Sequence, residues 1–450
     1  MIESIKYKLN LLINDSRFKE VLHGSFYSLS AKIFSTLLGL FSSIIIARYY
    51  GAKVMGLVAL VMTIISISEL FSTIGLSTAI LRLIPEYKEK FSKNISLKLY
   101  KKILNIVLVS SIVVALFILG FSNIIAIDIF HKNELLPFLS LIAIVIIFDT
   151  IKQINISTIR ALKIIKIYVL FEFLPKLFSL SLLLILTFLF YDKNNPIYVA
   201  LIIPILIFLL TVYYINTHIL SNNDNSNISY HDKLPSSLDI VKLSLPMFLT
   251  SGLSLIIAQT DIVMIGIFKN TELVGIYNVS FSLAMLTNFI LNSVNMMAAP
   301  KFAELYHANK MEELKYVAQK SSKLMFFATL PIVIILLVFG KFILNIYGEV
   351  FTDGYLVLVF LIIGQFINAA SGSVGYLLNM TGYQKEFRNI ILIAAIMNIV
   401  LNFILLPKYG INGAAFASLC SVAFWNIVSI LYIKRKFGFT VAYIPKYIIK

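Results

Sequence analysis

Two carboxyl groups stand where a protein pays heavily to keep them. Glu69 and Asp261 each lie inside a long apolar run, and neither has a basic residue one helical turn away on its own segment. A carboxyl so placed binds a proton, holds a cation or meets a base from elsewhere in the fold, and ionisable groups at such depth point to function. Lys32, at comparable depth in the first run, is the base the sequence offers Glu69, although its stem can also snorkel to the interface. Two further pairs can neutralise themselves on one helix face: Glu172 with Lys176 at i, i+4, and Asp149 with Lys152 at i, i+3. Amides form a third group. Asn288, Asn292 and Asn295 share one helical stripe, as do Gln365 with Asn368 and Asn398 with Asn402. Such amides either glue helices across a bundle or line a hydrated wall that offers hydroxyl-rich ligands both donors and acceptors.

The elements that must hold these groups are set by composition. Of 450 residues, 59% are hydrophobic and 13% charged, where a soluble domain carries about a quarter charged residues. No globular interior of this size buries so much apolar surface, so lipid must do it. Crossing the hydrocarbon takes about 20 apolar residues. Twelve runs qualify, near 24–48, 57–82, 103–127, 135–159, 167–190, 197–218, 238–267, 274–300, 321–341, 355–379, 388–406 and 411–433. The expected fold is an all-α integral membrane protein of about twelve transmembrane helices.

Basic residues orient it. With the N-terminus in the cytoplasm, 29 of the 38 Lys and Arg residues fall on the inner side and 7 on the outer. The inner excess accounts for the net charge of +16 as a topology signal and a contact with anionic lipid head groups; nucleic acid is not an expected partner. Both termini are expected in the cytoplasm, with the protein multi-pass in the cell membrane. Residues 1–23 are polar and amphipathic and read as a surface tail. Residues 221–237 contain SNNDNSN and read as a linker at the midpoint, and 434–450 form a basic tail. The lobes are then 24–220 and 238–433, six helices each. An even number of spans per lobe gives both the same orientation, the mark of a parallel repeat about the membrane normal. An internal echo agrees: IIIARYYGAKVMGLVAL (44–60) overlays IVMIGIFKNTELVGIYNV (262–279) with Gly56 on Gly275.

Catalytic patterns are missing. His23, His131, His218, His231 and His307 are scattered among loops and span ends, so no metal cluster is legible. No phosphate-cradling loop of the GxxxxGK[ST] type occurs. The single cysteine, Cys420, excludes an intrachain disulfide. The expectation is a non-enzyme without cofactor.

Four stretches carry a resemblance. They are IIIARYYGAKVMGLVAL; LFSTIGLSTAILRLIPEY (70–87); DIVMIGIFKNTELVGIYNVS (261–280) followed by Ala299 and Pro300; and LLNMTGYQKEFRN with NIVLNFILLPKYGINGAAFAS, within 377–418. In this order, and with the 6 + 6 layout, the chain resembles the polysaccharide transporter branch, the oligosaccharide flippases, of the multidrug/oligosaccharidyl-lipid/polysaccharide (MOP) exporter superfamily. The resemblance implies two lobes around a central cavity and alternating access. It implies a polyprenyl-pyrophosphate oligosaccharide as substrate, moved between leaflets for cell-surface polysaccharide biosynthesis. A glycan polymerase and a driving ion, H+ or Na+, become expected partners. A sub-branch that handles the peptidoglycan precursor carries arginines in the first span; here Thr36 and Ser42 stand at those positions and Arg48 alone remains, which favours other glycans. On this footing Lys32, Arg48 and Lys176 are candidates to attract a pyrophosphate, Asn288, Asn292 and Asn295 to contact glycan, and Glu69 or Asp261 to couple the ion. The rivals are a multidrug exporter of the same superfamily and a membrane glycan polymerase or ligase.

Overall fold

The computed structural model describes residues 16–221 and 234–443. The expected surface tail falls largely outside them, as do most of the midpoint linker and the last seven residues. Within the described residues the chain is helical, without a strand. Hydrocarbon leaves no alternative here, because every backbone N–H and C=O must be satisfied inside its own segment or in a closed barrel.

Fifteen helices follow one another. They are α1 (Ser16–Ile45), α2 (Gly51–Thr73), α3 (Leu76–Lys90), α4 (Lys93–Gly120), α5 (Leu136–Ala161), α6 (Ile165–Leu189), α7 (Asn195–Tyr214), α8 (Ser237–Phe268), α9 (Thr271–Ala284), α10 (Asn288–His307), α11 (Met311–Val338), α12 (Gly340–Tyr347), α13 (Tyr355–Ser371), α14 (Val374–Met380) and α15 (Gln384–Phe437). Ten stretches are long and apolar enough to cross a membrane. Two of these are double. The stretch Ala31–Thr73 passes from α1 into α2 through Gly51 at φ 81°, and α15 is two helices joined at Gly410, where φ is 60° and ψ −146°. Both glycines adopt a backbone that an L side chain resists. Counting each double stretch twice gives the twelve crossings that composition predicts.

Two spans differ from the uninterrupted helices the hydropathy suggests. The run at 57–82 breaks at Ile74 and Gly75, both at positive φ. A Cβ on Gly75 would lie 2.5 Å from Phe248 N and 2.6 Å from Ser244 O, so α8 runs directly over the break. The run at 355–379 breaks at Gly372, φ 77°. The polar stretch at 83–102 is itself helical: it is the end of α3 and the start of α4, N-capped by Ser92 through Ile95 N. The basic end of α15 places Lys434, Arg435 and Lys436 in its last turn, where cations oppose the helix dipole. Beyond it the chain turns back: Val441 is fully buried and Tyr443 N donates to Ala370 O.

The chain packs as two units. One comprises residues up to Ser42, Ile65–Ile124 and Glu134–Leu249; the other comprises Ser43–Ile64, Ile125–Asn133 and the chain from Thr250 onward. The first has a polar thread through its interior. Tyr100 Oη donates to Asn155 Oδ1 at 2.7 Å, and Asn155 Nδ2 donates to Thr211 Oγ1 at 3.2 Å, joining α4, α5 and α7. The second unit holds the site.

Candidate functional site: a buried carboxylate and the cavity beside it

Asp261 lies well inside α8. The return helix α9 brings Tyr277 back to the same depth 16 residues later, and its hydroxyl donates to Asp261 Oδ2. The two arms of α15 repeat this geometry. Asn402 lies before the Gly410 break and Ser418 after it, again 16 residues apart. Asn402 Nδ2 donates to Asp261 Oδ1 at 2.8 Å, and Ser418 Oγ donates to Oδ2 at 2.5 Å. Asn398, one turn below Asn402, donates to Ser418 Oγ at 3.2 Å. Asp261 is 3% exposed, and Tyr277 and Asn402 are fully enclosed.

Every hydrogen-bond partner of this carboxylate is neutral. A buried carboxylate is costly unless paired, and three neutral donors soften that cost without removing the charge. One proton or one monovalent cation would remove it. The carboxylate oxygens and Ser418 Oγ suit a hard cation; Asn402 turns its Nδ2 to the carboxylate, and its Oδ1 is buried without a hydrogen-bond partner.

Glu69 has a different setting. The charges that act on it are those of Asp149 and Lys152. Lys32, the partner its depth suggests, is not among them; it sits exposed on α1. The reason is that α5 brings its own ion pair, Lys152 Nζ on Asp149 Oδ1, to the level of Glu69. Lys176 on α6 feels Glu172 and Lys152, and Glu172 and Lys176 are both exposed. The first unit therefore gathers three acids and two lysines into one mixed cluster.

The remaining candidates scatter. The guanidinium of Arg48 is spent on the end of α12, with Nε donating to Ile346 O at 2.6 Å and Nη2 to Asn345 O at 2.7 Å. Of the stripe on α10, Asn288 is half-buried and donates to Met285 Sδ at 2.9 Å, Asn292 is exposed, and Asn295 is buried with Oδ1 unpartnered. Sequence reasoning missed Tyr277 and Ser418. The repeated separation of 16 residues across each helix reversal was a signal that could have found them.

Near Arg48 two helices touch backbone to backbone. A Cβ on Gly56 would overlap the carbonyl oxygen of Thr271 and lie 2.9 Å from Gly275 N; one on Gly275 would overlap the carbonyl oxygen of Ala52. The contact is reciprocal, since each glycine meets the residue four before the other. These are the two glycines that the internal echo superposes, and equivalent residues meeting each other is what a two-fold axis produces. Lys132 closes the same region. Its Nζ donates to Phe130 O at 3.0 Å, to Lys269 O at 2.9 Å and to Gly266 O, at the carbonyl end of α8, where a cation is favoured.

A cavity of about 220 Å³ lies beside the carboxylate, between α8, α9, α10, α13 and the second arm of α15. Ser418, Asn288, Gln365, Asn368, Phe281 and Trp425 are among its walls. Ser418 thus faces the cavity and touches Asp261.

Known proteins share this architecture. Among solved structures, the lipid II flippase MurJ in an inward closed conformation superposes with a TM-score of 0.71 at 17% identity, covering 91% of this chain and 87% of that one. An inward-facing multidrug resistance transporter of the MOP superfamily gives 0.72 at 15% identity, covering 92% and 98%. These likenesses show a shared fold over most of each chain. In sequence, the chain is 22% identical over 350 residues to the capsular polysaccharide biosynthesis protein CapF of Staphylococcus aureus, covering 77% of this chain and 84% of that protein. It is 25% identical over 173 residues to a probable flippase, AglR, of Haloferax volcanii, covering 38% and 36%. A MatE family profile matches residues 246–404, and the polysaccharide biosynthesis protein profile matches residues 21–306. The chain is a multi-pass membrane protein that belongs to the polysaccharide biosynthesis protein family of the MOP superfamily.

Proposed function

We propose that the protein is a flippase that moves lipid-linked oligosaccharides across the cytoplasmic membrane by alternating access, driven by an ion that binds at Asp261. Both termini lie in the cytoplasm, the lobes are residues 24–220 and 238–433, and the protein performs no covalent chemistry. The observation that carries the mechanism is the Asp261 site: a carboxylate deep in a transmembrane helix, held by the neutral side chains of Tyr277, Asn402 and Ser418. A polymerase or ligase has no use for an acid enclosed away from the interface, whereas a coupled transporter needs a charge that an ion can neutralise. The substrate class is supported by the family and by CapF and AglR, whose names speak of capsular polysaccharide and of flipping.

Na+ fits the site better than a proton alone, because turning the Asn402 amide over would set its unpartnered Oδ1 beside the carboxylate as a further cation ligand. Lys176 and Lys32 are accessible to an anionic head group; Arg48 serves the carbonyls of α12 instead. Asn288 and its neighbours serve the glycan. A glycan polymerase on the outer face is the natural consumer of the flipped unit.

The test is translocation in proteoliposomes of a fluorescent polyprenyl-pyrophosphate oligosaccharide, read with an impermeant quencher under a Na+ or a pH gradient. Wild-type flipping that follows one gradient and fails in Asp261→Asn is the expected result. Flipping that ignores both gradients would sink the coupling. The MatE match at 246–404 favours a second reading, a cation-coupled multidrug exporter; uptake of a cationic dye with no flipping would establish it.

A further inference from the structure

We infer that the cavity beside Asp261 is a subsite for one uncharged sugar ring, and that Ser418 couples its occupancy to the ion at Asp261. The inference rests on the flippase reading and deepens it. Size limits what can enter. About 220 Å³ is below the roughly 300–1,000 Å³ of sites that enclose a drug-sized ligand, so the cavity accepts part of a larger molecule.

Chemistry narrows it further. The described walls carry no charged side chain, so a pyrophosphate would enter without counter-charge, which is costly. A prenyl tail would leave the wall amides unpaired. One of these is already waiting: Gln365 is 8% exposed, lines the cavity, and its Oε1 has no partner. An orphaned buried acceptor is costly, and a hydroxyl or amide hydrogen from a ligand removes that cost. Asn288 and Asn368 add donors and acceptors, while Trp425 and Phe281 offer flat apolar faces against which the C–H face of a pyranose packs. Aromatic faces together with neutral amides and hydroxyls suit a sugar ring.

The coupling follows from Ser418. Its Oγ donates to Asp261 Oδ2 and accepts from Asn398 Nδ2, while the residue forms cavity wall. A sugar hydroxyl that hydrogen-bonds Ser418 alters a ligand of the ion site. Coupling of this kind is reciprocal: the factor by which the ion changes sugar affinity is the factor by which sugar changes ion affinity.

The chain has a single tryptophan, and it is Trp425, so all tryptophan emission reports on this wall. In nanodiscs, the methyl glycosides of glucose and N-acetylglucosamine are titrated in NaCl and in choline chloride. Methyl glucuronide serves as the charged control, and a cationic dye as the rival ligand. The expected result is saturable quenching by a neutral glycoside, several-fold tighter in NaCl, with no response to the glucuronide. Gln365→Leu should weaken binding about tenfold, the worth of one hydrogen bond near 1.4 kcal/mol. Ser418→Ala should erase the NaCl dependence, and Ser418→Thr should restore it. Gly364→Ala narrows the cavity with an ordinary 3.5 Å contact to Leu419 Cα, so it should fold and lose sugar binding. No quenching by any neutral glycoside in a preparation that flips substrate overturns the subsite and leaves the flippase standing. Quenching without flipping keeps the subsite as a sugar site and removes the flippase. Tight quenching by the dye alone overturns both. Equal affinity in NaCl and choline overturns the coupling through Ser418.

Discussion

Glu69 and Asp261 look alike in the sequence, two acids deep in apolar runs without a base on their own helix. The fold gives them opposite surroundings. Glu69 lies among charged groups of its own unit, with Asp149 and Lys152 acting on it and Glu172 and Lys176 beside them, three acids to two lysines. Asp261 is sealed among a phenol, an amide and a hydroxyl. In the first setting lysines of the chain stand among the acids and offset part of their charge. In the second no charged side chain among the described residues hydrogen-bonds the carboxylate, and the proposed ion would supply the missing charge. Depth in the membrane alone does not separate two such acids; the charge of what surrounds each one does.

The comparison can be broken. Asp261→Asn should slow gradient-driven flipping in proteoliposomes by about a hundredfold, equivalent to ~2.7 kcal/mol of barrier. Glu69→Gln failing instead, with Asp261→Asn active, would reverse the assignment. Lys152→Met leaves acids in the first cluster without their base. It should cost about 3 kcal/mol of stability, within the range for breaking a buried pair, seen as a lowered melting midpoint in detergent. Asp149→Asn in the same chain should restore most of it, and failure of that rescue would mean the cluster is not held by charge balance. Asn402→Asp sharpens the contrast from the other side. A second carboxylate should tighten Na+ binding roughly tenfold at neutral pH, about 1.4 kcal/mol on the affinity scale, followed by Trp425 emission. Glu69→Gln should have the smallest effect, below about threefold in flipping rate, under 1 kcal/mol on the same scale.

Much of the fold was legible because hydrocarbon imposes one rule on every segment. Runs of apolar residues had to be helices, and their number could be counted. The breaks were less legible. Gly75 and Gly410 are visible as glycines, but what demands a positive φ is the passage of α8 over one and the reversal of α15 at the other. At the site, Asp261, Asn398 and Asn402 could be named from type and spacing. Tyr277 and Ser418 could not, because a tyrosine and a serine in an apolar helix are ordinary until the fold points both at one carboxylate. Arg48 and Lys132 show the deepest limit. They serve backbone carbonyls at the ends of α12 and α8, and a carbonyl leaves no trace in the sequence. Each therefore has a structural task that its residue type alone does not announce.

The seam where Gly56 meets Gly275 has a mechanical consequence. Interlocked side chains act as teeth: parting them requires rotamers to change one after another, and each change adds friction. Here backbone lies on backbone, and neither glycine has a tooth to withdraw. Such a contact carries no side-chain friction of its own, whereas the Arg48 guanidinium and the Lys132 ammonium fasten the carbonyls of α12 and α8. Two bare glycines make a smooth contact, and a side chain at either position would wedge it apart.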